Sequence, residues 1–183
     1  MKLINLIEED FVNYKKPGLF LGFPHCTGKC NYPGHVVCQN DRLRFLFQSE
    51  LIDISVPEIL HRFETNPISE ALICGGLEPF DDFADLISLC IAFRKKYKIR
   101  PYPIIIYTGY YPHEIKEQIC ALKNLDEIIV KFGRYIPGHQ PHLDPYLGIY
   151  LASDNQYAVP LDILWQGIDL FDYLGCKYEE KKD

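Results

Sequence analysis

The sequence lacks an excess of basic residues. Its 183 residues include 19 Lys and Arg against 25 Asp and Glu, which gives a formal net charge of -6 at pH 7. Proteins that bind nucleic acids usually carry a clear basic excess or a basic stripe. The basic residues that do gather follow a helical pattern typical of a solvated helix end, and they are Arg94, Lys95, Lys96, Lys98 and Arg100. We therefore expect no nucleic-acid partner.

The sequence also lacks a long apolar run. No stretch approaches the ~20 apolar residues that a transmembrane helix needs. The N-terminal segment already contains Glu8, Glu9 and Asp10, so it has neither the basic start nor the apolar block of a secretory signal. We expect a cytoplasmic protein with no membrane partner. No repeat or low-complexity linker divides the chain, so residues 1–183 are predicted to form one domain with a frayed tail at 178–183.

Short apolar runs alternate with helical patterns along the chain. The predicted strands are 18–23, 71–74, 104–107, 127–132 and 156–159, and the predicted helices are 57–63, 81–97 and 113–122, with Ser55 as the cap of the first helix. This alternation predicts β-α-β units and a parallel sheet, which is an α/β fold. Functional residues of such sheets gather at the carboxyl ends of the strands. The residues that fall there are Cys26, Gly75, Gly76, Thr108, Gly133 and Arg134.

Three of the seven cysteines lie close together, in the pattern Cys26-x3-Cys30-x7-Cys38. Three thiolates on one loop suit an iron-sulfur cluster or zinc and leave one metal position without a cysteine from this loop. A structural zinc site would take a fourth ligand, which His25 or His35 could supply. The spacing by itself leaves both metals open.

The other four cysteines are scattered. In a chain expected to be cytoplasmic, seven cysteines are more typical of core residues, free thiols or metal ligands than of a disulfide framework. Cys74, Cys90 and Cys120 lie in apolar strand or helix patterns and are predicted to be small core residues. Cys176 lies near the C-terminal end and has no predicted role.

A glycine-rich motif, Gly75-Gly76-Leu77-Glu78-Pro79, follows the second predicted strand. Glycines let a backbone approach a ligand closely, and free carbonyls at a strand end can accept hydrogen bonds from an ammonium group. By itself the glycine pair is more typical of a simple turn from a strand to a helix. Together with the cysteine loop, the motif resembles the radical S-adenosylmethionine enzymes, which carry three cluster-binding cysteines and a GGEP-type motif at this place.

Further segments narrow the resemblance to the activating enzymes of anaerobic, glycyl-radical ribonucleotide reductases. In chain order they are Cys38-Gln39-Asn40, Tyr107-Thr108-Gly109-Tyr110, Gly133-Arg134-Tyr135 and Ser153-Asp154-Asn155-Gln156. Their order carries more weight than any one of them. The cluster loop, 24–40, departs from the family pattern C-x3-C-x2-C, because it is longer and has Val37 in place of the aromatic residue before the last cysteine.

The resemblance implies a fold, two cofactors and two partners. The fold is a short, open parallel (β/α) half-barrel. A 4Fe-4S cluster would be held by Cys26, Cys30 and Cys38, and S-adenosylmethionine would be contacted by Gly75, Gly76, Glu78, Pro79, Thr108 and Asn155. The reduced cluster would cleave S-adenosylmethionine to give a 5'-deoxyadenosyl radical that abstracts a glycine hydrogen. The glycine would belong to the glycyl-radical subunit of the reductase, and electrons would come from a flavodoxin-like or another low-potential donor.

Alternatives stay open for single residues and for the function. Thr108 could equally cap a turn, and Arg134 could meet the cofactor carboxylate, contact the partner or form a surface ion pair. A radical S-adenosylmethionine enzyme of this size could also act on a small molecule or on a different glycyl-radical enzyme. From another class, the chain could be a zinc-stabilised binding module without catalysis.

Overall fold

A computed structural model of the protein describes residues 1–31 and 37–166. Within them the strands are β1 (Lys2–Leu3), β2 (Asn5–Asp10), β3 (Gly18–Phe23), β4 (Ile52–Asp53), β5 (Ala71–Gly76), β6 (Ile104–Tyr107), β7 (Ile128–Phe132), β8 (His142–Leu143), β9 (Tyr150–Leu151) and β10 (Tyr157–Pro160). The α-helices are α1 (Val56–Thr65), α2 (Phe83–Lys96), α3 (Lys116–Leu122) and α4 (Leu161–Gln166). Short 3-10 helices cover Asp41–Phe45, Gln48–Glu50, Pro79–Asp82 and Pro112–Glu114. The predicted frayed tail, Cys176 and His35 lie outside the described residues.

A six-stranded sheet forms the centre of the fold, with the strand order β10-β7-β6-β5-β3-β2. The four inner strands are parallel, and their register pairs Phe23 with Gly76 and Tyr107 with Lys131. The outer strands β2 and β10 are antiparallel to their neighbours. The predicted α/β fold with a parallel sheet is therefore confirmed for the inner strands, whereas both margins differ from it.

The predicted elements lie close to the observed ones. The strands predicted at 18–23 and 104–107 coincide with β3 and β6. Ser55 Oγ accepts a hydrogen bond from the Glu58 nitrogen at 3.3 Å, which confirms the predicted cap of α1. The segment predicted at 156–159 forms β10, but it joins β7 in the antiparallel direction. Parallel neighbours require a crossover that is usually helical, and the described connection from β7 to β10 contains only the β8–β9 pair.

The two faces of the sheet are covered in different ways. Successive strand residues point to opposite faces, and Ile104 and Ile106 belong to a buried cluster that includes side chains from all four helices. On the other face, Ile105 packs in a second cluster with Tyr14 and Leu147, which come from loops. Burial of apolar surface on both faces is typical of strands in a parallel sheet. The loops beyond the strand ends are therefore the places where polar residues can gather.

A buried carboxylate organises the loop cover of the second face. Asp144 is almost fully buried, and its Oδ1 accepts hydrogen bonds from the nitrogens of Tyr146 and Leu147 at 3.0 and 2.9 Å. Its Oδ2 accepts one from the Ala158 nitrogen at 2.8 Å, which ties the loop to β10. Because a buried carboxylate needs such partners, these bonds account for its position.

The scattered cysteines and the basic segment can now be placed. Cys74 and Cys90 are fully buried, as predicted. The prediction for Cys120 was wrong, because this residue is only half-buried and is disulfide-bonded. The basic residues around the end of α2 are exposed, as predicted, except for Arg94, whose guanidinium is buried and donates a hydrogen bond to the Tyr102 carbonyl at 3.0 Å.

None of the helices in residues 1–31 and 37–166 has the length and apolar character that crossing a bilayer requires.

Candidate functional site

The loops that follow the four parallel strands meet at the carboxyl edge of the sheet. The Glu78 nitrogen donates a hydrogen bond to the His25 carbonyl at 2.8 Å, which joins the loop after β5 to the cysteine loop after β3. The Gly109 nitrogen donates to Glu78 Oε2 at 2.9 Å, which adds the loop after β6. The Gly133 nitrogen donates to the Tyr110 carbonyl at 3.1 Å, which adds the loop after β7. The four motifs that the sequence predicts at strand ends therefore form one connected edge.

The thiols of Cys26, Cys30 and Cys38 are free and half-buried. Burial, followed by the charges of Cys38 and Cys26, raises the pKa of Cys30 to about 11, so both of the other thiols lie within Coulombic range of Cys30. Burial also raises the pKa of Cys26. Two cations oppose these shifts, since Arg134 lowers the pKa of Cys30 and Arg44 lowers that of Cys26. The carboxylates of Glu78 and Asp81 raise the pKa of Cys26, and Glu78 also raises that of Cys30, so the thiols lie beside charges of both signs.

A zinc ion and a 4Fe-4S cluster need different arrangements of the three thiols. Within the described part of the chain, no three His, Cys, Asp or Glu side chains converge closely enough to hold a single metal ion. In a 4Fe-4S cluster each cysteine binds a separate iron, so the thiols surround the cluster and do not meet at one point. Metal binding requires thiolates, and the two nearby guanidinium groups offset their charge. Three free thiols are the donor type that such a cluster takes, whereas the imidazole of His25 already contacts the Asp82 carboxylate.

The glycine pair is required by the neighbouring strand. Gly76 has a φ of 87°, and a Cβ atom added to it would lie 2.7 Å from Gly22 Cα and 2.8 Å from the Phe23 nitrogen. A Cβ atom added to Gly75 would lie 2.9 Å from the Phe20 ring. From the sequence, we expected a ligand to need the space beside these glycines. In the structure, β3 occupies it. The Gly76 carbonyl accepts a hydrogen bond from Asn40 Nδ2 at 3.0 Å and keeps a second lone pair.

Glu78 and Pro79 hold the loop after β5 in place. Glu78 is buried, and its Oε1 accepts a hydrogen bond from the Phe80 nitrogen at 3.3 Å while its Oε2 accepts from Gly109. Pro79 is buried at the start of a 3-10 helix, where its missing N–H costs nothing. Burial raises the pKa of the Glu78 carboxyl to about 7, against hydrogen bonds that lower it. Both residues contribute to the architecture of the edge.

The pKa of Glu78 predicts a pH dependence of stability. The folded protein retains this proton up to about pH 7, whereas the unfolded chain releases it near 4.5. The ionised form is thus disfavoured in the folded state, and this carboxyl makes the free energy of unfolding fall as pH rises from about 4.5 to about 7. In the metal-free protein, Glu78→Gln should remove up to about 3 kcal/mol of this fall.

The measurement is denaturant unfolding at about pH 5 and about pH 8. Relative to wild type, Glu78→Gln should gain stability between the two conditions. Glu117→Gln, at an exposed position of α3, serves as the control and should follow wild type. A constant difference between wild type and Glu78→Gln across this range would contradict the assignment.

Three other predicted residues occupy the same edge with different roles. Thr108 Oγ1 is buried and accepts a hydrogen bond from the Tyr110 nitrogen at 2.9 Å, so the alternative of a turn cap describes it. Arg134 forms an ion pair with Glu114 at 2.7 Å. Asn155 Nδ2 donates to the Arg134 carbonyl at 2.7 Å, while its buried Oδ1 has no partner in the described residues. Asn155 therefore keeps one buried acceptor unpaired among the described residues.

Sequence reasoning missed a polar network beside the cysteine loop. The Tyr110 hydroxyl donates to Asp81 Oδ1 at 2.7 Å and lies 3.0 Å from Thr27 Oγ1. The Thr27 nitrogen donates to Asp81 Oδ2 at 2.8 Å. The Lys29 ammonium lies 4.7 Å from the centre of the Tyr110 ring. The network fixes the first half of the cysteine loop, and no spacing pattern in the sequence indicates it.

Lys131 is the other residue that was missed. It is buried in β7, and its Nζ donates a hydrogen bond to the Gly133 carbonyl at 2.7 Å. Burial lowers its pKa to about 8, although the charges of Glu78 and Cys30 oppose this effect. A lysine within an apolar strand is a signal that sequence reasoning could have used, because a buried ammonium needs a special environment.

A cavity of about 380 Å³ opens beside the cysteine loop. Its lining comes from three segments at the carboxyl edge and consists of Pro24, His25, Cys26, Thr27, Arg44, Phe45 and Asp81. Cys26 is the residue that it shares with the predicted metal ligands. Among the described residues, its lining includes none of the predicted S-adenosylmethionine contacts.

The predicted residues thus meet at the carboxyl edge of the sheet, but they have different roles there. The cysteine loop, the glycine motif and Asn155 offer thiols and acceptors, whereas Thr108, Glu78 and Pro79 serve the architecture. A Cβ atom added to Gly109 would lie 3.5 Å from Cys30 Sγ, which places that thiol against the loop after β6.

No family model, no curated protein and no solved structure matches this chain.

Proposed function

We propose that the protein is a radical S-adenosylmethionine activase that generates a glycyl radical on an anaerobic ribonucleotide reductase. The observation that carries the proposal is the junction of the cysteine loop with the glycine motif at one edge of the parallel strands. The junction consists of the hydrogen bond from Asn40 to the Gly76 carbonyl and that from the Glu78 nitrogen to the His25 carbonyl, at 3.0 and 2.8 Å.

The fold is compatible with the proposal. The proposal implies a short, open (β/α) half-barrel, and the four parallel strands, with helices on one face and loops on the other, are compatible with it. Enzymes of parallel β/α architecture place their sites at the carboxyl ends of the strands. The cysteine loop lies at this end, so a large protein substrate can approach it without entering the fold.

The protein would hold its cofactors with residues of three loops. The thiolates of Cys26, Cys30 and Cys38 would hold a 4Fe-4S cluster. When bound and reduced, this cluster would supply the electron that cleaves S-adenosylmethionine and starts hydrogen abstraction from glycine. The free lone pair of the Gly76 carbonyl would accept a hydrogen bond from the amino group of S-adenosylmethionine, and the unpaired Asn155 Oδ1 is a second acceptor at the same edge.

The charged groups around the thiols support this use. Arg134 favours the thiolate of Cys30, and Arg44 favours that of Cys26. Burial outweighs both effects, so the two pKa values lie above the usual range in the metal-free protein. Arg134 also lies 5.6 Å from the centre of the Tyr110 ring and is held by Glu114, so its position is fixed. A fixed cation beside a thiolate favours metal binding, because the thiolate is the ligand.

The glycyl radical itself is the test. We expect a glycine-centred doublet in the electron spin resonance spectrum when the protein, S-adenosylmethionine, a strong reductant and the reductase from the same source are mixed without oxygen. Deuteration of the reductase glycines should collapse the doublet, because the main splitting comes from the remaining α hydrogen. The reductase with S-adenosylmethionine and reductant, but without this protein, is the control.

Two results would correct the proposal at different levels. If S-adenosylmethionine is cleaved but the reductase shows no doublet, the protein acts on a small molecule or on another glycyl-radical enzyme. If the purified protein binds zinc and neither iron nor sulfide, it is a zinc-stabilised module, and the proposal fails.

A further inference from the structure

The cavity beside Cys26 is lined by an exposed aromatic ring and by a guanidinium group. Phe45 lines the cavity, and 71% of its surface is exposed. Arg44 also lines it, and the Arg44 Nε has no hydrogen-bond partner among the described residues. A ligand that complements this lining brings a planar ring for Phe45 and acceptor atoms for Arg44.

Asp81, which also lines the cavity, is held in place by hydrogen bonds. Both carboxylate oxygens of Asp81 accept hydrogen bonds from the protein, one from the Thr27 nitrogen and one from the Tyr110 hydroxyl. Each oxygen keeps a further lone pair, so Asp81 can also accept from an amino group on a ligand. The lining therefore suits a nitrogen-rich aromatic ring, which has acceptors in the ring and a donor outside it.

The segment that carries Phe45 is fixed against the cysteine loop. Arg44 Nη1 pairs with Asp41 Oδ1 at 2.9 Å within the 3-10 helix. On its other side, the Arg44 guanidinium packs against Gly28, where an added Cβ atom would lie 2.5 Å from Arg44 Cζ. The backbone that carries Phe45 is thus held beside the loop by Arg44 before any ligand binds, which lowers the cost of binding.

We propose that this cavity binds the adenosyl group of S-adenosylmethionine, with the adenine ring stacked on Phe45 and Arg44 donating to an acceptor of the nucleoside. The inference rests on the proposed function, because a cofactor bound to a cluster on Cys26 must place its nucleoside near that residue, and Cys26 is part of the cavity wall. A volume of about 380 Å³ lies within the range of small-molecule sites.

The test measures the binding of S-adenosylmethionine to the cluster-loaded protein by calorimetry without oxygen. Stacking of a base on an aromatic side chain contributes enough affinity that Phe45→Ala should weaken binding about tenfold or more. Phe45→Tyr keeps the ring and should bind within about twofold of wild type. Phe47→Ala is the matched control, because Phe47 is similarly exposed, at 75%, and does not line the cavity.

A fluorescence measurement gives a readout that does not depend on activity. The chain contains a single Trp, so a second one is readily observed. The Phe45→Trp variant should lose fluorescence when S-adenosylmethionine is added, because the adenine ring stacks on the indole. The Phe47→Trp variant should show no such change.

Each failure has its own meaning. Equal affinities for wild type and Phe45→Ala, with no quenching in Phe45→Trp, would overturn the cavity assignment and leave the proposed function standing. Equal losses in Phe45→Ala and Phe47→Ala would also overturn it, since they would indicate a general apolar surface such as a protein contact. No binding of S-adenosylmethionine to the cluster-loaded wild type would overturn both.

Discussion

Replacing any one of Cys26, Cys30 and Cys38 with Ala is expected to abolish the iron-sulfur cluster and S-adenosylmethionine cleavage together. In the proposed cluster each thiolate would bind its own iron, so no ligand in the loop could substitute for another. After anaerobic reconstitution, iron and sulfide should fall from about four each per chain in wild type to a small fraction of that in each variant. Optical absorbance and metal analysis measure the loss.

Cys90→Ala is the matched control for these variants. Cys90 is a free thiol like the other three, but it is fully buried in α2 among apolar side chains. This variant should keep both the cluster and the cleavage activity. A full 4Fe-4S cluster in Cys38→Ala would mean that the third ligand lies elsewhere in the chain. Loss of the cluster in Cys90→Ala would contradict the division into ligands and core residues.

Gly76→Ala is expected to destabilise the fold itself. Gly76 has a positive φ, which costs a residue with a Cβ atom about 1–2 kcal/mol. The added Cβ would also press on the backbone of β3, at Gly22 and Phe23, and overpacking of this kind costs about 1–3 kcal/mol more. The free energy of unfolding should therefore fall by about 2–5 kcal/mol, measured by denaturant unfolding of the metal-free protein.

Gly138 offers a control that separates the two costs. Its φ of 84° is close to that of Gly76, at 87°, but nothing lies within 4 Å of an added Cβ atom. Gly138→Ala should therefore show only the smaller cost, about 1–2 kcal/mol. Equal losses in the two variants would mean that β3 moves away easily and that backbone conformation alone requires glycine at Gly76.

The inner strands of the sheet could be predicted from the sequence because their signals are local. β3 and β6 are continuous apolar runs beside proline and glycine, the pattern of a strand buried on both faces. β2 lacks this pattern, since it contains Glu8, Glu9 and Asp10 and is largely exposed. The direction of β10 depends on its connection to β7, which no local pattern specifies. The margins of the sheet therefore had to come from the structure.

The place of the candidate site could be predicted, but the roles of several residues could not. A parallel sheet brings the carboxyl ends of its strands to one edge, so motifs at strand ends must meet there. The role of Glu78 depends on the Gly109 nitrogen, which lies on another strand's loop. The cavity at Phe45 likewise depends on a 3-10 helix that no hydrophobic periodicity in the sequence predicts. Such contacts are non-local, and sequence spacing carries no information about them.

The position of the cysteines in the chain determines when, during folding, the Cys30 thiol reaches its final surroundings. Cys26, Cys30 and Cys38 belong to the long connection between β3 and β5, which are neighbours in the sheet. Closing such a connection costs chain entropy before the strand pairs form, so parallel pairing is slow. The groups that surround the Cys30 thiol, Gly109 and Arg134, follow β6 and β7. The Cys30 thiol therefore reaches its folded surroundings only after β6 and β7 have joined the sheet.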